Sequence, residues 1–393
     1  MARNEIWILG ATGRVGRAVA ARLVAAGTVP VLVGRDAGRL REAAAGLGLG
    51  ADSKIVVASG ADTMAAEISR QRPAVVVNTI GDYAESAAVL ARACIPGGHY
   101  LDQANDPAAF HRLFALHDEA AAAGSTLVTG AGFGVAGTEA IVARMCENRP
   151  VPSHVRVDAI ASVAVEEGVL GTALATSIVD GFAGGGRRYE GGRLVRTRLG
   201  GEVRHLTLPD GERISSVGVP SGELVAAHRV SGAPSASATS ALVPASFAVR
   251  AMLPLVSAVL RIRAVRNFAI GRMSGIKAEA APRPRPHTWG HAVVTWPDGT
   301  VREGWLRAGD AMDFTSAVAA QTALGLAAGK GRPGAHTPAA ALGPDLAIAA
   351  GADFVDHALL RSRTPPQRPI PAAHRSRHIS QVFQGSPRPT TTT

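Results

Sequence analysis

Glu5-Ile-Trp-Ile-Leu-Gly10-Ala-Thr-Gly13-Arg-Val-Gly16 decides how the first half of this chain is read. Residues 5–9 form a short apolar run that predicts a buried strand, and a helix is predicted from about residue 14 to residue 26. Between them the first glycine permits a tight turn, the second lets backbone N–H groups approach a diphosphate, and the third lets helix pack on strand. A second apolar run follows at residues 29–33. Strand, glycine loop, helix and strand in this order predict a dinucleotide site containing Gly10, Thr12, Gly13, Arg14, Val15 and Gly16.

The end of the second predicted strand chooses the dinucleotide, because the ribose 2′ position lies there. An acidic side chain at that place accepts the 2′-hydroxyl. Here the sequence is Gly34-Arg35-Asp36, about 20 residues past the last glycine, so a guanidinium can pair with a 2′-phosphate. NADP(H) is therefore expected, with Gly34, Arg35 and Arg39 as part of its site. Asp36 is better placed as a helix N-cap than as a ribose ligand.

Strands and helices continue to alternate, with strands at 54–58, 74–78 and 99–102 and helices near 63–70 and 85–93. This predicts a doubly wound parallel sheet of Rossmann type, with ligands beyond the carboxyl ends of the strands. Asn78, Thr79 and Gly81 would border the nicotinamide half. From residue 155 the pattern changes to hairpins with turns at Glu190-Gly-Gly192, Pro209-Asp-Gly211 and Pro297-Asp-Gly299, which predict an antiparallel sheet. The expected fold is α/β: a Rossmann domain at 1–148, a second α+β domain on an antiparallel sheet at 149–357, and a tail at 358–393. A helix near 321–326 is expected to help close the second domain.

The formal charge of +10 is concentrated at the end of the chain. After Asp356 there is no acidic residue but there are six arginines, and without those six the charge is +4. That tail is rich in proline and reads as disordered and basic. No nucleic-acid partner is expected. Cys94 and Cys146 read as reduced thiols, and the N-terminus runs into a strand without a leader pattern, so a cytoplasmic protein is expected. His287-Thr-Trp-Gly-His291 has metal-like spacing but lacks a third ligand, so no metal is expected. Residues 241–265 are strongly apolar, yet prolines and arginines interrupt them. They read as a core or lid helix. The sharper alternative is an amphipathic element that touches a membrane surface, meets an acyl carrier or guides an acyl chain.

Four segments carry a family resemblance: Gly10 to Gly16 with Gly34-Arg35, His99-Tyr-Leu-Asp102, Thr129-Gly-Ala-Gly-Phe133, and Gly334-Ala-His-Thr-Pro338 followed by Leu342-Gly343. Gly171-Thr172 with Gly184-Gly-Gly186 adds to them. The chain resembles the saccharopine dehydrogenase-like reductases, including the actinobacterial trans-acting enoyl reductases. It departs from that family after Phe133, where an Asp and a Pro are common but Gly134 and Ala136 stand here, while Glu139 is a candidate replacement for a later Asp. The resemblance implies an NADPH-dependent reductase acting on an activated C=C bond of a lipid-like or thioester-linked substrate. Reduction of C=N, or binding of NADP(H) without catalysis, are the alternatives. Tyr83, Asp102 and Thr172 are the candidate proton donors or orienting groups, and no Lys stands four residues after Tyr83 to lower its pKa.

Overall fold

The structure, a computed structural model, describes residues 4–165, 167–169, 172–241 and 247–355. The predicted basic tail lies outside the described residues. The first half runs β1 (Ile6–Leu9), α1 (Arg14–Ala25), β2 (Val31–Gly34), α2 (Ala37–Gly46), β3 (Ile55–Val57), α3 (Ala61–Gln71), β4 (Val75–Asn78), α4 (Tyr83–Cys94) and β5 (His99–Asp102). It continues with α5 (Pro107–Phe114), α6 (His117–Ala122), β6 (Thr126–Val128) and α7 (Phe133–Cys146). The strands β1, β2 and β4 are buried along their whole length, as expected where helices cover both faces of a parallel sheet. Asp36 caps α2, its carboxylate accepting from the Arg39 N–H at 3.0 Å.

The second half opens with β7 (His154–Ile160), β8 (Gly168–Val169), α8 (Thr172–Ala183), β9 (Gly186–Glu190), β10 (Arg193–Thr197), β11 (Arg204–Thr207), β12 (Arg213–Gly218), α9 (Gly222–Ser231) and β13 (Ser235–Ser240). Then come α10 (Phe247–Leu260), α11 (Arg263–Ser274), β14 (Lys277–Ala278), β15 (Thr288–Thr295), β16 (Val301–Ala308), α12 (Ala311–Ala327), β17 (Gly334–His336), α13 (Pro338–Leu342), α14 (Leu346–Ala349) and β18 (Asp353–Val355). All three predicted hairpin turns form, joining β9 to β10, β11 to β12 and β15 to β16.

Among the described residues the first sheet has seven parallel strands in the order β17-β6-β5-β4-β1-β2-β3. The order in which the chain adds strands reverses between β1 and β4, from β1-β2-β3 on one side to β4-β5-β6 on the other, which opens the crevice where such sheets take ligands. The seventh strand corrects the expected division at residue 148, because β17 pairs with β6 although it lies in the second half. Helix α12 likewise packs on α1, β4 and β5, so the helix predicted near 321–326 covers the first sheet rather than closing the second domain.

The second sheet, with nine strands among the described residues, is mixed rather than antiparallel: β13 runs parallel to β7, and its other pairings are antiparallel. One face lies on α7 and α9. On the other, His291 donates to two carboxylates, with Nδ1 at 2.6 Å from Asp158 Oδ2 and Nε2 at 2.9 Å from Glu303 Oε1, and stacks on Trp305. The histidine of the metal-like spacing is thus an ion-pair centre on a strand. No cluster of metal-ligating groups occurs among the described residues.

Helix α7 joins the two sheets. Residues 133 and 135–142 are all buried, which leaves its first half no solvent face. It approaches the second sheet closely because glycines face it: a Cβ on Gly304 would lie 2.7 Å from Ile141 Cγ2. Inside this joint Glu139 accepts from Thr337 Oγ1 at 2.5 Å and from the N–H groups of Ala339 and Ala340 at 3.0 and 3.1 Å. It thereby caps α13 from a distance, and the Gly334-to-Pro338 segment is held by the same carboxylate. Burial nevertheless raises its pKa to about 7, against the lowering effect of those bonds.

A raised carboxylate binds more protons when folded than when unfolded, so its contribution is fully present below the unfolded value and is lost as pH rises through about 7. Thermal melts from pH 5 to pH 8 are therefore expected to show a decline in the parent that is flatter in Glu139→Gln. Parallel curves for the two proteins would reject this assignment.

Candidate active site

The glycine loop has the shape that the sequence predicts. Gly10 has φ +78°, and a Cβ there would sit 2.9 Å from Thr79 Oγ1. A Cβ on Gly16 would lie 2.3 Å from the Gly10 carbonyl oxygen, so only glycine lets α1 start this close to β1. Gly13 is the N-cap of α1 and no side chain caps it, which leaves the first amides of the helix directed at the loop. A dinucleotide's diphosphate fits that cradle.

Two cavities flank it. One, of about 480 Å³, is lined by Arg35 just after β2 together with Ser59, Thr63 and Glu67. The other, of about 580 Å³, is lined by Thr12, Arg14, Arg17 and Arg39 together with Asp313. Val15 lines it too, while Gly34 lies beneath α2 with Leu40 against its Cα. Arg14 has a structural engagement that the sequence did not signal. Its guanidinium donates to the Ala164 carbonyl at 3.2 Å, joining the glycine loop to the strand-end segment of the second sheet.

At the nicotinamide end, several predicted ligands turn out to hold the scaffold. The Asn78 amide is buried, donating to Tyr100 Oη at 2.9 Å and accepting from the Ile80 N–H at 3.1 Å. Thr79 donates to the Leu9 carbonyl at 2.7 Å. Gly81, with φ +78°, leads into Asp82, also left-handed at φ 46°, so the loop turns sharply before α4. The side chain of Asn78 is therefore committed to the turn, and the predicted hydrogen bond to ribose or amide is better met by backbone groups of this loop.

Asp102 is fully buried and accepts from Thr129 Oγ1 at 2.8 Å, the Ala104 N–H at 3.0 Å, the Gly130 N–H at 3.3 Å and Tyr100 Oη at 3.0 Å. Burial outweighs these bonds and raises its pKa. Four bonds tie it to the ends of β5 and β6, so it acts as a brace and not as a free acid. Tyr83 opens α4 and its hydroxyl donates to Gln103 Oε1 at 3.3 Å; burial pushes its pKa up, so it stays a neutral phenol. Thr172 opens α8 and is exposed, and among the described residues no hydrogen bond ties it to Tyr83 or Asp102. Those two come together around the loop after β5; Thr172 does not join them.

What the sequence reading missed is Glu223. It sits in the first turn of α9, and its carboxyl group fills the space beside Gly134, where a Cβ would fall 1.8 Å from Oε1. Asn105 Nδ2 donates to Oε1 at 3.3 Å, and the Gly222 N–H donates to Asn105 Oδ1 at 2.6 Å. Glu223 Oε2 and Gln103 Nε2 are buried without a partner at hydrogen-bond distance, and the neighbouring polar group that most favours the Glu223 carboxylate is the Ser221 hydroxyl, itself unpaired. Burial raises the Glu223 pKa. The departure at Gly134 was the one sequence signal: a carboxyl that residue 134 lacks arrives from α9 instead.

Residues 6–128 match the family described as saccharopine dehydrogenase NADP binding domain. This is an NADP(H)-binding domain. The chain is accordingly an NADP-dependent oxidoreductase. Its fold is similar to apo saccharopine dehydrogenase (L-Glu forming) from Saccharomyces cerevisiae, with a TM-score of 0.54 and 12% identity over 90% of this chain and 100% of that one. Serine dehydrogenase from Escherichia coli aligns over 32% of this chain and 80% of its own length, with 15% identity and a TM-score of 0.27. No curated protein matches the sequence.

Arg35 is the cation expected at the ribose 2′ position, and a charged hydrogen bond of that kind is worth roughly ten- to a hundredfold in affinity. Arg35→Ala is expected to weaken NADPH binding by about that factor in a fluorescence titration and to leave NADH unchanged. Equal losses for the two dinucleotides would remove the basis for the preference.

Proposed function

We propose that the chain is an NADPH-dependent reductase of an activated C=C bond in a lipid-like or thioester-linked enoyl substrate, akin in reaction to the trans-acting enoyl reductases. The observation that carries this reading is the buried Glu223 carboxyl with Oε2 unpaired, beside Gln103 and Asn105 on the loop after β5. A buried polar atom left without a partner is rare and calls for a ligand to complete it.

Bound NADPH supplies the hydride, to the β-carbon of the enoyl group. The reaction then needs one proton at the α-carbon. Glu223 Oε2 is the proposed donor, since burial favours the protonated carboxyl, and water returns the proton after turnover. Asn105 orients the acid through Oε1, and the Tyr83 hydroxyl orients Gln103, whose free amide N–H can hold the thioester carbonyl. Asp102 fixes the loop that presents both side chains. Thr172 has no part in this arrangement. An amino-acid-derived imine would call for a cation to meet its carboxylate, and Tyr83, Gln103, Asn105 and Glu223 include none. A long apolar chain instead finds α8 and the apolar helix α10 packed together nearby.

Single-turnover oxidation of NADPH by a panel of enoyl thioesters and cyclic imines tests the substrate class: turnover of enoyl thioesters alone is expected, and turnover of imines alone would overturn it. A raised acid is lost as pH rises through its folded pKa, so the rate should fall with rising pH above the ordinary carboxylate range. Glu223→Gln is expected to slow the step by about 10²-fold or more with NADPH affinity unchanged. A full rate in that variant would sink the role given to Glu223.

A further inference from the structure

Helix α10 reverses the usual pattern of burial. Leu253 and Ser257 are buried, with α8 packed on the helix, whereas Met252, Leu255, Val256, Val259 and Ile262 are between 38% and 58% exposed. The spacing of three or four residues places Met252, Leu255, Val256 and Val259 on one side of α10, about 10 Å long at 1.5 Å per residue, and Ile262 follows at the junction as the N-cap of α11. Helix α11 has no buried residue and adds Phe268, which is 70% exposed. A contiguous apolar face on a soluble chain marks a contact surface.

Charge says what kind of surface meets it. Residues 224–278 contain no Asp or Glu, while Arg250, Arg261, Arg263, Arg266 and Arg272 all fall within α10, α11 and their junction. Of these, Arg266 turns inward and grips Asp180 of α8 through two bonds of 2.6 and 2.7 Å, which fixes α11 to α8. Arg261, Arg263, Arg272 and Lys277 are exposed. The stripe itself offers five aliphatic or thioether side chains and no hydrogen-bonding group. A protein partner reads a mixture of apolar and polar groups, whereas an interfacial helix presents bulky apolar side chains to acyl chains and arginines to headgroup phosphates.

We propose that the α10–α11 hairpin docks this protein on an anionic lipid surface, with Met252, Leu255, Val259 and Ile262 at the acyl boundary and Arg263 and Arg272 on phosphates. The helix lies on the surface and does not span it: no helix among the described residues is long and apolar enough to cross a membrane. Asp180, gripped by α11, acts electrostatically on Asp82 and Asp106, so the platform stands beside the loops after β4 and β5. Delivery of an acyl substrate from the lipid to those loops rests on the proposed function. Docking does not.

The full chain is to be sedimented with large vesicles of phosphatidylcholine alone and of an equal mixture with phosphatidylglycerol. Binding to the mixed vesicles, weaker on the neutral ones and reduced by salt, is expected. Leu255→Gln combined with Ile262→Gln alters no charge and is expected to lower partitioning about tenfold, with the circular dichroism spectrum and the NADPH titration unchanged. Arg263→Gln combined with Arg272→Gln should lose about tenfold on mixed vesicles and little on neutral ones. The proposal is overturned if neither vesicle binds, or if the Leu255/Ile262 variant partitions like the parent, since attraction through the basic residues 358–393 would then account for the binding. It is also overturned if the parent self-associates in analytical ultracentrifugation and that variant does not, because the face is then an interface between copies. Vesicle binding is read without substrate, so its failure and failure of the reductase assignment are separate results.

Discussion

The burial of α7, packed on the second sheet and among α9, α12, α13 and α14, is the constraint on which the rest of this structure depends. A helix with no solvent face in its first half must satisfy every polar group it carries, and Glu139 is the group that makes this hard. The chain answers by bringing the amides of α13 to the carboxylate, and that requires residues 334–340 to return to the first sheet. The segment that supplies the seventh strand is thus held to α7 through one buried acid and its partners. The same helix is capped by Gly132, two residues past Gly130 of the Asp102 network, so the brace of the candidate site and the joint with the second sheet meet in one element.

Cofactor site and reaction site are built on different principles. The cofactor is met by backbone: glycines, helix amides and a turn that lets chain approach chain, with arginines added at one edge. The candidate reaction site is met by side chains drawn from the loop after β5 and from α9, and its acid is raised by burial rather than by a neighbouring charge. Arg14 ties the glycine loop to the second sheet through its bond to the Ala164 carbonyl after β7.

The sequence made visible what depends on neighbours along the chain. The glycine loop, the Asp36 cap and the three hairpin turns are each specified within a few residues, and all are found in the fold. β17 was not visible because Gly-Ala-His is too short and too plain to read as a strand, and β13, with Ser and Ala in alternation, carries no sign of pairing parallel to β7. The all-round burial of α7 escaped because its sequence has no amphipathic period to separate a covered from an open face. Among the site residues, the position of Asp102 was legible but its saturation by four bonds was not, because Thr129 and Gly130 reach it from another strand. Glu223 meets Asn105 across 118 residues of chain, a distance over which no local pattern carries information.

Gly134 and Glu223 occupy one volume between them, with room for a side chain at the first only if the second withdraws. In a lineage of such proteins neither position is free to change alone. A side chain gained at 134 collides with the carboxyl, and a shortened 223 leaves an internal void next to two helices and an amide without its acceptor. The two positions are therefore sterically coupled, and a change at one calls for a change at the other.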